Sequence, residues 1–265
     1  MFKKFIFILS FLSFSVATAA TSFTAVTASD LDTITKEFSS NFAHTSVMGA
    51  ATLGKIFGFE LSLLAGQNPS PGLDGIVKKS SSTDSFPNLY HAGVLLAVSV
   101  PFGFTGEVIY TPKVNSSGVE FQATSAALKY TMDESLVLLP FNLAFRAFMS
   151  SSTLTFTQTT PSVTGVVDNI NTVNGFQILA SPSLPMIEPY IGVGYLQAKD
   201  TLNFSGTGNI FGSSFPLGTT SQSTSLNSTQ VLAGLNAHLL LISLGIEYAR
   251  AFDSNRYTAK LGFVF

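Results

Sequence analysis

The chain has 265 residues, of which 46% are apolar and only 11% are charged, and its formal net charge at pH 7 is −2. Globular proteins carry roughly 25% charged residues, so this composition is typical of a membrane protein. The charge balance provides no electrostatic basis for nucleic-acid binding. The absence of cysteine excludes disulfides, thiolate metal sites and a lipid-modified N-terminal cysteine.

Residues 1–20 have the features of a signal peptide. Lys3 and Lys4 supply a positive start, and an apolar stretch from residue 5 to 16 leads to a small-residue cleavage site at 17–19. That stretch is too short to span about 30 Å of hydrocarbon as a helix, so we expect cleavage rather than anchoring. The mature chain is expected to begin at Ala20 or Thr21.

Residues 21–54 are predicted to form a plug or periplasmic segment that contains a short amphipathic helix at about 29–41. Ser29 and Asp32 resemble a capping pair. One helical face carries the apolar residues Leu31, Ile34 and Phe38. The helix could plug a barrel lumen, lie across its periplasmic mouth or trail from it. A full plug is expected only with more than ten strands, because a ten-stranded lumen is filled largely by side chains.

From residue 55 to the end, apolar and polar residues alternate in segments of about 9–11 residues, the length with which a tilted strand crosses a bilayer. No later segment has the 18 consecutive apolar residues that a membrane-spanning helix needs. An open sheet in lipid would leave its edge hydrogen bonds unpaired. The pattern therefore predicts an all-β fold, a transmembrane antiparallel up-and-down β-barrel over residues 55–265 with about ten strands. Twelve is the alternative, if 44–53 and part of 150–158 are also strands.

The connections between the strands are sorted by length. With Phe265 at the periplasmic end, the outer connections are 67–88, 112–116, 159–171, 200–224 and 251–255. The inner connections are Pro101, 132–137, 184–187 and a tight turn near Leu239. The long segments, rich in Ser, Thr, Gly and Asn, all fall outside, and the inner turns are short. Outer-membrane barrels have this asymmetry.

The last six residues, KLGFVF, resemble the C-terminal assembly signal of bacterial outer-membrane β-barrel proteins. Lys260, Gly262, Phe263 and Phe265 carry this resemblance. It implies a location in the outer membrane of a Gram-negative bacterium and recognition by the barrel-assembly machinery. A helix before a barrel is also weakly similar to the long-chain fatty-acid transporter family, whose N-terminal segment fills the lumen. No ligand-binding residue of that family can be carried over.

Seven charged residues lie opposite the apolar set of their strands and are expected to line the lumen. They are Glu60, Glu107, Glu120, Arg146, Glu247, Arg256 and Lys260. An Arg or Lys at mid-depth on the lipid face would cost roughly 2–4 kcal/mol. These charges could select solutes in a pore, or they could form an ion-pair network that fills a closed barrel. In a network, Glu247 would pair with Lys260 or Arg256, with Glu60 across the closing seam.

Catalytic and metal sites are not indicated. His44, His91 and His238 lack metal-ligand spacing. A His–Ser–acid set could be assembled, but serine is so abundant that such a set arises by chance. We therefore expect no enzyme activity, no metal and no cofactor.

The composition and pattern favour a porin-like passive channel or transporter for small or hydrophobic solutes, restricted by the N-terminal segment. The alternative is a non-conducting structural or surface-interaction barrel that acts through the outer loops 67–88, 159–171 and 200–224. The expected partners are outer-membrane lipid and, during biogenesis, the assembly machinery. The solute is not identified by the sequence, and no nucleic-acid partner is expected.

Overall fold

A computed structural model of the protein describes residues 28–54, 56–80, 85–116, 119–132, 141–159, 163–182, 184, 186–210 and 213–265. The predicted signal peptide and nearly all of the predicted 132–137 turn lie outside these residues. In the described part of the chain, ten strands form a closed barrel, in which sequence neighbours pair antiparallel and the last strand pairs with the first.

The strands follow one another around the barrel. They are β1 (Gly58–Pro69), β2 (Asn88–Val100), β3 (Phe104–Ser116), β4 (Val119–Met132), β5 (Phe141–Thr159), β6 (Val163–Pro182), β7 (Ile187–Ile210), β8 (Ser213–Leu239), β9 (Ile242–Ala251) and β10 (Ser254–Val264). The predicted ten-stranded up-and-down barrel is confirmed. The twelve-strand alternative is wrong, because residues 44–49 have no strand structure and 150–158 belong to β5.

Two helices accompany the barrel. The first, α1 (Ala28–Phe42), confirms the predicted N-terminal helix. The second, α2 (Pro71–Ser80), lies in the predicted 67–88 loop. A short 3-10 turn, Pro101–Gly103, joins β2 to β3. Among the described residues, neither helix combines the length and the apolar composition that a membrane-spanning helix requires.

The outer face of the barrel carries an apolar belt. On β1, Phe59, Leu61 and Leu63 point outward and remain 47–51% exposed. At one edge of the belt, Tyr195, Tyr248 and Tyr257 stand outward on β7, β9 and β10. An apolar exterior with aromatic residues at its border is the surface that a transmembrane barrel presents to lipid.

The barrel has two unlike ends. We call the end that holds the C-terminus the C-terminal mouth and the opposite end the hairpin mouth. Strands β5 to β8 are 19, 20, 24 and 27 residues long, whereas β9 has 10 and β10 has 11. The extra length lies at the hairpin mouth, where the outward face of β7 changes from Tyr195 to Gln197 and Lys199. The β5–β6 and β7–β8 hairpins therefore project beyond the belt.

The predicted outer loops 159–171 and 200–224 are thus largely wrong, since 163–171, 200–210 and 213–224 belong to strands. Beyond the belt both faces of a strand can be polar, so the alternation that identifies membrane strands disappears. The many threonines of these segments nevertheless suit extended backbone, because β-branched side chains favour strands.

Residues 28–54, which we call the plug, occupy the barrel lumen. The helix α1 contacts β1, β2, β5, β6, β7, β8 and β10, which are strands around the whole circumference. From Ser39 to Ala50 every residue is buried except the half-buried Phe42. The expectation that a full plug needs more than ten strands is wrong. Small inward residues leave the space, such as Ala144, Ser150 and Ser152 on β5.

The plug runs from one mouth to the other. Near the hairpin mouth, Lys36 lies 3.0 Å from Asp253 in the β9–β10 turn. Near the C-terminal mouth, the backbone N–H of Leu53 donates to Ser99 Oγ at 3.0 Å. The chain then turns back into β1. The N-terminal end of α1 is therefore at the hairpin mouth.

Candidate functional site: the plugged lumen

Two charged side chains of the wall form an ion pair across the closing seam between β10 and β1. Lys260 Nζ on β10 lies 2.7 Å from Glu60 Oε1 on β1, and both side chains are fully buried. Ser62 Oγ donates to the same oxygen at 2.6 Å. The close approach of the strands also explains Gly262, because a Cβ at that position would collide with Ser62. Of the remaining predicted assembly-signal residues, Phe263 and Phe265 point outward, 49% and 67% exposed.

A second ion pair holds the plug to the wall. Arg256 lies 3.4 Å from Glu247, and its Nη1 donates to the backbone carbonyls of Ser40 and Ala43 at 3.1 and 2.6 Å. Glu247 in turn accepts from Thr45 at 2.6 Å and from the Tyr190 hydroxyl at 2.9 Å. The pair therefore contacts the plug at Ser40, Ala43 and Thr45.

A third cluster joins the plug to β3 and β5. His44 Nε2 lies 2.8 Å from Glu107 Oε2, and Arg146 Nε lies 3.4 Å from the same oxygen. Arg146 Nη2 also donates to Ser46 Oγ at 2.9 Å and to the Met48 carbonyl at 3.1 Å. Buried charges need partners, and here the plug supplies some of them. Displacement of the plug would therefore leave Glu107 and Arg146 with fewer partners.

Of the seven predicted lumen-lining residues, six lie buried inside the barrel and are joined in these three clusters. The expectation is wrong for Glu120. On β4 it is Phe121 that faces inward, with its ring centroid 4.6 Å from that of Phe42 in the plug. Alternation then places Glu120 on the opposite face near the hairpin mouth, where it pairs with Lys113 at 2.5 Å.

Because the two faces of β4 are the reverse of those expected from the sequence, sequence reasoning also misses a cation in the lumen, Lys129. Lys129 lies on the inward face of β4, and its Nζ donates to the carbonyls of Gly49 and Ala51 at 2.9 and 2.8 Å. Ala127 on this face belongs to the same buried apolar cluster as Ala43 of the plug, whereas Leu128 points outward. Both faces of β4 are apolar in part, so alternation does not show which face points inward. The position of Lys129 is the sequence signal that could have shown it, because a lysine is costly on the lipid face.

One arrangement in the lumen resembles a catalytic triad. His44 Nδ1 lies 2.9 Å from Ser125 Oγ, while His44 Nε2 contacts Glu107. Ser125 is only 7% exposed, and the neighbouring cavity has a volume of about 40 Å³. That is space for about one water and none for a substrate. In this position the three side chains hold the plug against β3 and β4.

The other two histidines are separate from this cluster. His91 bridges Asn41 of the plug and Thr258 of β10 at 2.9 and 3.0 Å. His238 lies 2.9 Å from Asn236 on the same strand. Among the described residues, no group of three or more His, Asp or Glu side chains is arranged to hold a metal ion.

At the hairpin mouth the plug supports a surface helix. Glu37 of α1 accepts hydrogen bonds from the backbone N–H groups of Gly72 and Leu73, each at 2.8 Å. These are first-turn donors of α2, which have no partner within the helix, and a carboxylate is favourable there. Ile34 and Phe38 of α1 pack beneath α2 against Leu73 and Ile76. The two helices together cover this end of the lumen.

At the C-terminal mouth a larger cavity remains, with a volume of about 390 Å³. We call it the vestibule. The plug residues Met48, Ala51, Thr52 and Leu53 form its roof, and its sides come from the ends of β7, β8 and β10 and from the β6–β7 and β8–β9 turns.

The barrel resembles several solved structures at low sequence identity. For the translocator domain of the autotransporter NalP from Neisseria meningitidis, the TM-score is 0.43 at 10% identity, covering 93% of this chain and 99% of that one. For the KdgM porin in complex with disordered oligogalacturonate, it is 0.37 at 10% identity, covering 78% and 99%. For Ail, the attachment invasion locus protein of Yersinia pestis, it is 0.26 at 16% identity, covering 79% and 99%.

The predicted antiparallel barrel is established by the strand pairing of the chain itself, and the outer-membrane class stays a prediction from the sequence. Similarity to the long-chain fatty-acid transporter family is not shown. No curated protein matches the chain. A family model matches residues 3–265, and the chain therefore belongs to that family, which is described as a family of unknown function, DUF6588.

Proposed function

We propose that this protein is an outer-membrane barrel that its own plug closes at rest and that acts at the cell surface through its two long hairpins. The observation that carries the proposal is the continuous bonding of the plug to the wall. From Lys36 at one mouth to Leu53 at the other, bonds to different strands or turns of the barrel recur along the plug, at Ala43, His44, Thr45 and Ala51 among others.

The hairpin mouth is assigned to the cell exterior. In outer-membrane barrels the long connections are extracellular and the turns at the periplasmic side are short. Here the long hairpins and α2 lie at one end, and two-residue or three-residue connections such as 240–241 and 101–103 lie at the other. The apolar belt between them would be stable only in lipid, because it exposes large side chains on every side.

A closed lumen follows from three cationic side chains. Lys129, Arg146 and Arg256 each donate to plug carbonyls from different strands. Hydrogen bonds to charged groups contribute about 1.5–3 kcal/mol each, and removing the plug would leave these cations and their carboxylate partners without several of their bonds. The plug is therefore part of the folded barrel, and we expect no open pore in the wild-type protein.

The hairpins offer the surface for interaction. On β8 the outward row Thr229, Asn227, Ser225, Ser223 and Ser221 continues from the apolar Val231 and is exposed. At about 3.3 Å per residue, residues 221–229 extend roughly 26 Å along the strand. A polar, uncharged ribbon of this length can form many hydrogen bonds with a macromolecule outside the cell.

Single-channel recording in planar bilayers tests the closed state. Wild-type protein should give no conductance steps, whereas a variant without residues 28–53 should conduct if its barrel inserts. Heat-modifiable migration in detergent gels reports whether that variant folds. Steady conductance of the wild type would overturn the closed state.

Shortened hairpins test the surface role. Removal of residues 154–168 and 202–224 leaves the belt intact and should abolish binding of cells to immobilised polysaccharides or host-surface proteins that the wild type binds. Unchanged binding by the folded, shortened barrel would contradict action through the hairpins.

A gated transporter is the second candidate. It is favoured by the charged wall, since Glu60, Glu107 and Arg146 would line a water-filled path if the plug moved. A disulfide between Ala50→Cys and Ser181→Cys would fix the plug, because the Ala50 N–H donates to Ser181 Oγ at 3.2 Å. Voltage-dependent steps that disappear on oxidation and return on reduction would favour transport over the surface role.

We also propose that Ser125, His44 and Glu107 are not catalytic. Purified protein should hydrolyse a short-chain nitrophenyl ester no faster than the Ser125→Ala variant does. A rate that depends on Ser125 would identify an enzyme instead.

A further inference from the structure

The vestibule contains a carboxylate with no Lys or Arg nitrogen of the described residues in direct contact. Of the strand glutamates that point into the lumen, Glu60, Glu107 and Glu247 lie within 2.7, 3.4 and 3.4 Å of a Lys or Arg nitrogen. Glu188 also points inward and is only 8% exposed, yet no cationic nitrogen of the described residues lies within 4.0 Å of its carboxylate. A charge in so dry a position ordinarily has a partner.

The hydrogen bonds of Glu188 are one-sided. The Ala51 N–H and Ser181 Oγ both donate to Oε1, each at 2.8 Å. Oε2 accepts no hydrogen bond from the described residues. Because an ionised carboxylate can accept about four hydrogen bonds, the residue keeps acceptor capacity where it lines the vestibule.

The rest of the vestibule is chiefly apolar. The lining includes Met48, Leu53, Leu184, Met186 and Leu241. Asn236, the register partner of Glu188 on β8, and His238 add neutral polar groups beside the carboxylate. A volume of about 390 Å³ is in the range of small-molecule sites, which typically combine apolar walls with a few polar groups.

Two apolar residues at the rim of the vestibule have an uncommon backbone conformation. Met186 in the β6–β7 turn has φ 69° and Leu240 in the β8–β9 turn has φ 58°, and their exposed fractions are 61% and 98%. Residues other than glycine seldom adopt positive φ. The His238 N–H donates to the Met186 carbonyl at 2.8 Å and joins the end of β8 to the β6–β7 turn. The apolar lining therefore continues to the open edge.

We propose that the vestibule binds a single-chain amphiphile with a cationic head group, with the ammonium on Glu188 and the alkyl chain along the apolar wall. An ammonium supplies a cation in direct contact with the carboxylate and can donate to Oε2, and a charge-assisted hydrogen bond is roughly twice as strong as a neutral one. A carboxylate head would instead meet Glu188 as a like charge. The site is independent of whether the barrel conducts.

Binding of dodecylamine to the full mature chain in zwitterionic lipid nanodiscs tests the site, with empty nanodiscs as the background and with dodecanol and dodecanoate as head-group controls. Wild-type protein should bind dodecylamine saturably and about tenfold more tightly than dodecanoate, which corresponds to about 1.4 kcal/mol. Glu188→Gln should remove that preference and leave dodecanol binding within about twofold.

Glu120→Gln is the matched control, because it makes the same substitution on the outer face, away from the vestibule. Its dodecylamine affinity should equal that of the wild type. Thr52→Trp should weaken both dodecylamine and dodecanol by filling the roof of the cavity. The proposal is overturned if binding does not exceed that of empty nanodiscs, if dodecanoate binds as tightly as dodecylamine, or if Glu188→Gln, folded by gel migration, keeps the ammonium preference.

Discussion

Lys260 and Glu60 link the last strand of the barrel to the first by a buried ion pair, with Nζ 2.7 Å from Oε1. The Cα register of the seam places Lys260 opposite Leu64 and Glu60 opposite Val264, so the pair lies diagonally across it. The two long side chains reach toward each other inside the lumen. Closure of the barrel thus brings together opposite charges from the two ends of the strand order.

Removal of one member of this pair should destabilise the barrel more than removal of both. Lys260→Met leaves Glu60 buried without its cation, for which the expected loss is about 3–5 kcal/mol in the free energy of unfolding. The double variant Glu60→Gln/Lys260→Met should recover much of that loss. Urea unfolding of the barrel in lipid vesicles, followed by tyrosine fluorescence, measures all four members of the cycle. A loss in the double variant equal to the sum of the two single losses would show that the pair does not act as a unit.

Lys129 should anchor the C-terminal half of the plug. Lys129→Met removes two hydrogen bonds to the Gly49 and Ala51 carbonyls, and these charged bonds contribute about 1.5–3 kcal/mol each. We expect faster proteolysis within the plug while the barrel stays folded. The matched control is Lys113→Met, because the Lys113 side chain is 58% exposed and pairs only with Glu120 in the described structure. Equal cleavage of both variants would argue against Lys129 as an anchor.

The strand count, the closing of the sheet and six of the seven predicted lumen charges follow from local alternation. A charged residue among outward apolar neighbours can face only the lumen without a large cost, so Arg146 within β5 is readily assigned. Alternation does not resolve β4, because its inward face carries Phe121 and Ala127 against the plug. The sequence of β4 alone does not indicate which residues of the plug pack against its inward face.

The path of the plug could not be predicted for a related reason. Its contacts join residues far apart in sequence, such as Thr35 with Asp200 at 3.0 Å. Its apolar face, Leu31, Ile34 and Phe38, specifies burial but not the partner or the direction. The vestibule likewise depends on where the plug ends inside the barrel. The sequence therefore does not indicate that Glu188 lines a cavity.

The direction of the plug gives a topological prediction. If the hairpin mouth faces outward, the N-terminal end of α1 is at the cell surface and Thr52 is at the periplasmic side. The chain contains no cysteine, so single substitutions provide sites without background. Ser29→Cys should react with a membrane-impermeant maleimide on intact cells, and Thr52→Cys should react only after the outer membrane is permeabilised. The reverse pattern would mean that the orientation is wrong.

Acid should loosen the surface helix α2 through Asp74. Hydrogen bonds from Lys78, Ser85 and the Phe86 backbone N–H lower the pKa of Asp74 to about 2. The unfolded value is about 3.9, so the ionised form is the one that the folded loop favours. The stabilisation is fully present above about pH 4 and is lost as the pH falls toward 2.

A Phe86→Trp reporter in this tryptophan-free chain should show its emission shift in that window. In the same reporter background, Asp74→Asn should have the shifted emission already at neutral pH and little further change on acidification. A transition of unchanged size in Asp74→Asn would assign it to another carboxyl group.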